Sequence, residues 1–215
     1  MKETERFAAY SHGFGAVLAV CAGIVLLILL TKISTAHFVL PILSYAFSMV
    51  FLFLASSIYH AKLKEDNENS LWRKIDHISI YFMIAGSYTP LVYFYLINPL
   101  KIIVIVAQWS LVLIGIILKF WTLQTPRWLT AFIYLAQGWM VVIFLERLII
   151  IMPTLDFILL VLGGVSYSIG AILYTIDSKP NKVCKLSFHD IFHILVIIGA
   201  AFHWVVVYHA LKNVM

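Results

Sequence analysis

Apolar positions in this chain come in long, nearly unbroken runs rather than in one-sided stripes. Seven runs stand out: roughly Ser11 to Thr31, His37 to Ala61, Asp76 to Ile97, Lys101 to Trp121, Trp128 to Arg147, Thr154 to Ile176, and His189 to Leu211. A helix needs about 20 apolar residues to cross the hydrocarbon core. A helix also satisfies its own backbone there, which an open strand does not. The pattern therefore predicts an all-α integral membrane protein of seven transmembrane helices. The connecting segments are short and no repeat or low-complexity tract interrupts them, so residues 1–215 read as a single seven-helix membrane domain.

Composition agrees, with 63% hydrophobic and 12% charged residues, against about 25% charged in ordinary soluble domains. The net charge of +5 is informative as topology and not as a nucleic-acid footprint. Cytoplasmic loops are enriched in lysine and arginine. With a cytoplasmic N-terminus, the inside segments hold Lys2, Arg6, Lys62, Lys64, Arg73, Lys74, Lys119, Arg127, Lys179, Lys182 and Lys185. The outside segments hold only Lys32, Lys101, Arg147 and Lys212. Seven spans then place the C-terminus outside the cell membrane. The first run begins near His12 and lacks a small-residue cleavage site, so it reads as a span and not as a cleaved signal. Cys21 lies in the first run and Cys184 in a basic loop, and neither belongs to a disulfide framework.

That orientation gathers the polar residues of the spans. His60 closes the second run, Asp76 opens the third, and His189 and His193 open the seventh, all on the cytoplasmic side. His189 and His193 are one helical turn apart, a spacing at which two imidazoles can share one cation. Ionisable groups in membrane helices are costly and ask for partners. Ser56 lies one turn deeper than His60. Either it bonds the carbonyl of its own preceding turn or it faces the cluster, with Ser57 as a substitute. Asp76 has two readings as well, a cap at a helix N-terminus or a member of the site. His77 points about 100° away from it.

Three neutral imidazoles leave a fourth position open on tetrahedral zinc. Such an ion activates water and polarises a carbonyl. Asp76 would then act as the base, with Ser56 as a supporting donor. These roles match amide or ester hydrolysis with zinc as cofactor, at a site opening toward lipid and cytoplasm. Ser87 and His203 are predicted to line the path to the site. His203 lies about 21 Å along the axis from His189. That is too far to share an ion, and a helix-to-helix hydrogen bond is the other reading for it. His12 with Gly13 reads as a cap of the first helix or a contact at the site rim, while His37 and His209 fall at the outer side and read as solvated. Trp109, Trp121, Trp128 and Trp204 read mostly as boundary markers. Glu146 and Arg147 read as interfacial, and Gly86 with Pro90 as a kink.

Ser56-x-x-x-His60, Asp76-His77, Ala85-Gly86-Ser87-Tyr88-Thr89-Pro90 and His189-x-x-x-His193 together resemble the bacterial hemolysin III branch of the progestin and adipoQ receptor family. Ser11-His12-Gly13 and Gln137-Gly138-Trp139 are similar too. One departure is Ala8, where many bacterial members carry an asparagine, so the role of the N-terminal segment stays open. The resemblance implies a seven-helix fold with a cytoplasmic N-terminus, and zinc on His60, His189 and His193. The wider superfamily includes alkaline ceramidases, which implies a metal-dependent lipid hydrolase with a membrane lipid as partner. Two other readings stand beside it, a zinc-stabilised membrane receptor or sensor of lipid homeostasis, and a pore-forming hemolysin. The absence of an amphipathic pore segment weighs against the last.

Overall fold

The computed structural model describes residues 2–33, 36–63, 69–177, 182–183 and 186–215. Cys184 and three of the basic residues assigned to the inside segments, Lys64, Lys179 and Lys185, lie outside the described residues. The elements run α1 (Arg6–Leu30), α2 (Val39–Lys62), α3 (Leu71–Tyr95), α4 (Leu100–Trp121), α5 (Arg127–Gly138), α6 (Leu145–Ile151), α7 (Thr154–Ile176) and α8 (Phe188–Lys212). A 3-10 segment, Trp139–Phe144, joins α5 to α6. Short 3-10 turns precede α1 and α2, and a two-residue antiparallel pair, Lys182–Val183 with Leu186–Ser187, precedes α8.

Among the described residues, six helical stretches are long and apolar enough to cross a membrane. They are Glu3–Leu30, Ala36–Lys62, Leu100–Trp121, Arg127–Ile151, Thr154–Ile176 and Phe188–Lys212. Their outer faces carry large exposed side chains such as Val17, Ile24, Ile103, Val106, Ile143 and Ile150. A belt of that extent suits lipid and not water. The helix missing from this set is α3, which packs against α2, α4, α5 and α8. A helix enclosed by protein does not have to be apolar all round, so α3 can carry Asp76, His77, Ser79, Ser87 and Thr89.

The starts of α2, α4, α5, α7 and α8 fall within two residues of those predicted, whereas α1 and α3 each open five residues earlier. The third helix opens at Leu71 and not at Asp76, because the Ser70 hydroxyl accepts from Arg73 N at its first turn. Asp76 therefore sits inside the helix, and the capping reading is overturned. In α8, Ser187 and Asp190 form a reciprocal capping box, which places His189 and His193 in the first two turns. Polar capping residues precede the apolar run in both cases, as helix starts require. The fifth run is not one regular helix. Its backbone breaks after Gly138, where the Tyr88 hydroxyl donates to Gly138 O and accepts from Val141 N, each at 2.6 Å. Gln137 pairs with Gln108 beside the break, at 3.0 Å. Backbone groups released at membrane depth need such protein partners.

α2 and α3 approach closely at Gly86, where an added Cβ would run into the Ser48 side chain and the Ser44 carbonyl. This contact aligns the α2 end that carries His60 with the α3 start that carries Asp76.

Candidate metal centre

His60 sits in the last turn of α2, His189 and His193 in the first two turns of α8, and all three meet at one end of the bundle. One ring nitrogen from each lies within 4.8 Å of the others, and His60 and His193 are buried. His189 Nε2 and His193 Nε2 are 3.1 Å apart. Nitrogens at about 2.0–2.1 Å from a tetrahedral ion stand about 3.4 Å from one another, so this pair already has near-ligand spacing. His60 Nδ1 is 2.6 Å from Glu5 Oε2. The carboxylate only accepts, so it holds the proton on Nδ1 and leaves Nε2 of His60 as the available ligand atom.

Asp76 and Ser56 line the same cavity as the three histidines. The Ser56 hydroxyl lies beside the Asp76 carboxyl, and the basic groups that act on that carboxyl are His60 first and then Arg73. The proposed substitute, Ser57, is committed elsewhere: its hydroxyl donates to Ala9 O of α1 at 2.8 Å. His77 also lines the cavity but is not part of the three-imidazole group, and its backbone carbonyl accepts from the Tyr134 hydroxyl at 3.0 Å. The cavity encloses about 710 Å³ and continues past Ser87 and Leu91 to His203, Val206 and Val207. Its volume falls in the range of small-molecule sites, about 300–1,000 Å³.

The model of the family described as "Haemolysin-III related" matches residues 1–204. "Hemolysin-3 homolog" of Bacillus subtilis (strain 168) is 32% identical over 209 residues, 95% of this chain and 93% of that relative. "Hemolysin-3" of Bacillus cereus is 32% identical over 193 residues, covering 90% and 85% of the two chains. The chain belongs to the haemolysin III family. With its apolar helices, this makes it a multi-pass membrane protein of a bacterial family.

Within this haemolysin III fold, two further residues stand against the site: Glu5, which sequence reasoning leaves without a role, and His12, which it reads as a helix cap or a contact at the site rim. Glu5, in the 3-10 turn before α1, reaches His60 across 55 positions of sequence. His12 of α1 is buried, its ring centroid is 4.0 Å from that of His193, and neither of its nitrogens has a hydrogen-bond partner. It lies outside the three-nitrogen group and closes the site from the α1 side. The donor set suits a borderline metal. It combines three imidazoles with an outer carboxylate on one of them, the pattern of metal-bound histidine.

Of the two outer-side histidines, only His209 comes out differently from the expectation. His209 is not simply solvated, since its Nδ1 is 2.6 Å from Oδ1 of the buried Asp156 at the start of α7. His37 is exposed and stacks near Phe38 and Tyr93. Of the tryptophans, Trp121 and Trp128 are exposed, but Trp109 and Trp204 donate indole N–H groups to Thr89 Oγ1 and Ala22 O inside the bundle.

Proposed function

We propose that this chain is a zinc-dependent membrane hydrolase of a lipid amide or ester, built on seven spans with a cytoplasmic N-terminus. The observation that carries the reading is the placement of a three-imidazole cluster and Asp76 at one end of a lipid-sized cavity. Zinc held there supplies a Lewis acid that polarises a carbonyl and acidifies water.

The remaining chemistry falls to the chain's own side chains. His60, His189 and His193 are the proposed ligands. Glu5 fixes the tautomer and ring angle of His60. The Asp76 carboxylate takes the proton from the attacking water and returns it to the leaving group. Ser56 donates to that carboxylate, which favours a positioning role over direct contact with substrate. Substrate enters sideways: Ala131, Leu135 and Ala171 line both the cavity and an external apolar groove between α5 and α7.

The seven-span topology rests on the lysine and arginine bias and on α3 as an enclosed span. A reporter fused after Met215 is expected to be extracytoplasmic and one between α2 and α3 cytoplasmic. The reverse pattern would move the site to the outer face and remove the proposed topology.

A second reading is favoured by the ligands themselves, which come from α2 and α8: an ion there staples two helices, as a structural metal in a lipid sensor would. Asp76→Asn separates the two. For the hydrolase, zinc content is expected to stay near the wild-type level while lipid turnover falls by about 10²-fold or more. Unchanged turnover across a lipid panel, with zinc retained, leaves the metal a staple. Release of dye from liposomes independent of His193 would instead favour the lytic activity named for the Bacillus cereus relative.

A further inference from the structure

The cavity does not end as a plain apolar tube. His203 lies past the middle of α8, about 15 Å along the helix from His193, and it lines the same space. Its Nε2 is 3.3 Å from Leu160 O of α7. A carbonyl only accepts, so Nε2 donates and carries the ring proton. The neutral ring then presents Nδ1 as a bare acceptor, and no described residue hydrogen-bonds to it.

Tyr167 of α7 also lines the cavity, edge-on to His203 with ring centroids 5.4 Å apart. Its hydroxyl is buried and without a hydrogen-bond partner. Space for the imidazole is cut into α7 at Gly163, where an added Cβ would collide with the His203 ring. The other cavity hydroxyls at this depth have partners: Ser87 donates to Ile84 O at 2.8 Å and Ser168 to Gly164 O at 2.7 Å. Two polar atoms with spare capacity remain, one an acceptor and one able to donate or accept. At this depth bulk water is absent, and an unsatisfied polar group is costly.

We propose that His203 and Tyr167 form a second binding subsite, which takes a hydroxyl group carried on the hydrocarbon chain of the bound lipid. The hydroxyl donates to His203 Nδ1 and accepts from the Tyr167 phenol. An unsubstituted chain leaves both groups unpaired, so the subsite selects for chain hydroxylation at a position remote from the carbonyl. This rests on the reading of the cavity as a lipid site, but not on hydrolysis.

The test is equilibrium binding to the purified full-length protein in detergent, with stearate and stearate hydroxylated near mid-chain as probes. Wild type is expected to bind the hydroxylated probe about 2- to 10-fold more tightly, the worth of one net hydrogen bond. Tyr167→Phe keeps the ring and removes only the phenolic oxygen; His203→Phe removes the acceptor. Each is expected to reduce the preference, and the two together to abolish it, while stearate affinity stays unchanged. Equal binding of the two probes by wild type would mean that water alone satisfies these groups, and would overturn the subsite. A preference that survives both substitutions would overturn it too. If neither probe binds, the lipid reading of the cavity fails together with it. Loss of turnover in Asp76→Asn with the preference intact would leave the subsite standing apart from the catalytic reading.

Discussion

Glu5 illustrates how much of the site depends on single side chains brought from far away in sequence. It stands in a polar, charged opening segment, Lys2-Glu3-Thr4-Glu5-Arg6, and nothing in that pattern distinguishes it from an ordinary interfacial acid. Only the packing of α1 against α2 brings it to 2.6 Å from His60 Nδ1. Glu5→Gln keeps the size and one acceptor oxygen but removes the charge that makes the imidazole a better donor. Metal affinity is expected to fall about 10- to 100-fold, read by chelator competition on the purified protein. Affinity equal to wild type would show that the pair orients nothing. His60, Asp76, His189 and His193 were legible because spacing within a helix and a shared membrane depth are properties of sequence. The pairings Glu5 with His60 and Asp156 with His209 were not, since each joins helices through tertiary contacts alone.

At the scale of elements, hydropathy located six apolar spans because lipid imposes one requirement on every exposed face, and the enclosed α3 is not among them. The apolar pattern located the start of α3 less well, since the cap there, Ser70, is a polar residue outside the apolar run, whereas α8 opens within one residue of its run. The fifth apolar run shows another limit. Its residues are uniformly apolar from Met140 to Leu145, so composition gives no sign of the 3-10 segment there. The break depends on Tyr88, which sits in α3 and supplies both a donor and an acceptor to the opened turn. Two of the motif segments, Ala85 to Pro90 and Gln137 to Trp139, thus meet in space as a structural joint. Trp109 completes the joint by donating to Thr89 Oγ1, whose own hydroxyl donates to Ala85 O at 2.8 Å. These tryptophan and tyrosine contacts are hydrogen bonds in a medium without bulk water, where a missing partner is costly.

For the whole molecule, the arrangement of helices sets what the cavity can do. α3 is enclosed and polar, and α1, α2 and α8 bring the histidines to its first turns. The cavity runs from that polar end into the bundle, so the carbonyl of a bound lipid can lie at the cluster while its chain extends toward His203. Three helices contribute to the cluster and its base, and an ion joining α2 to α8 stabilises only the folded arrangement. Metal analysis of the purified wild-type protein and of His193→Ala therefore bears most directly on the proposed centre. About one zinc per chain is expected in the wild type, with loss of the metal and a lowered Tm in His193→Ala. A wild type free of transition metal after purification and zinc loading, or a His193→Ala protein that holds zinc equally well, would contradict it.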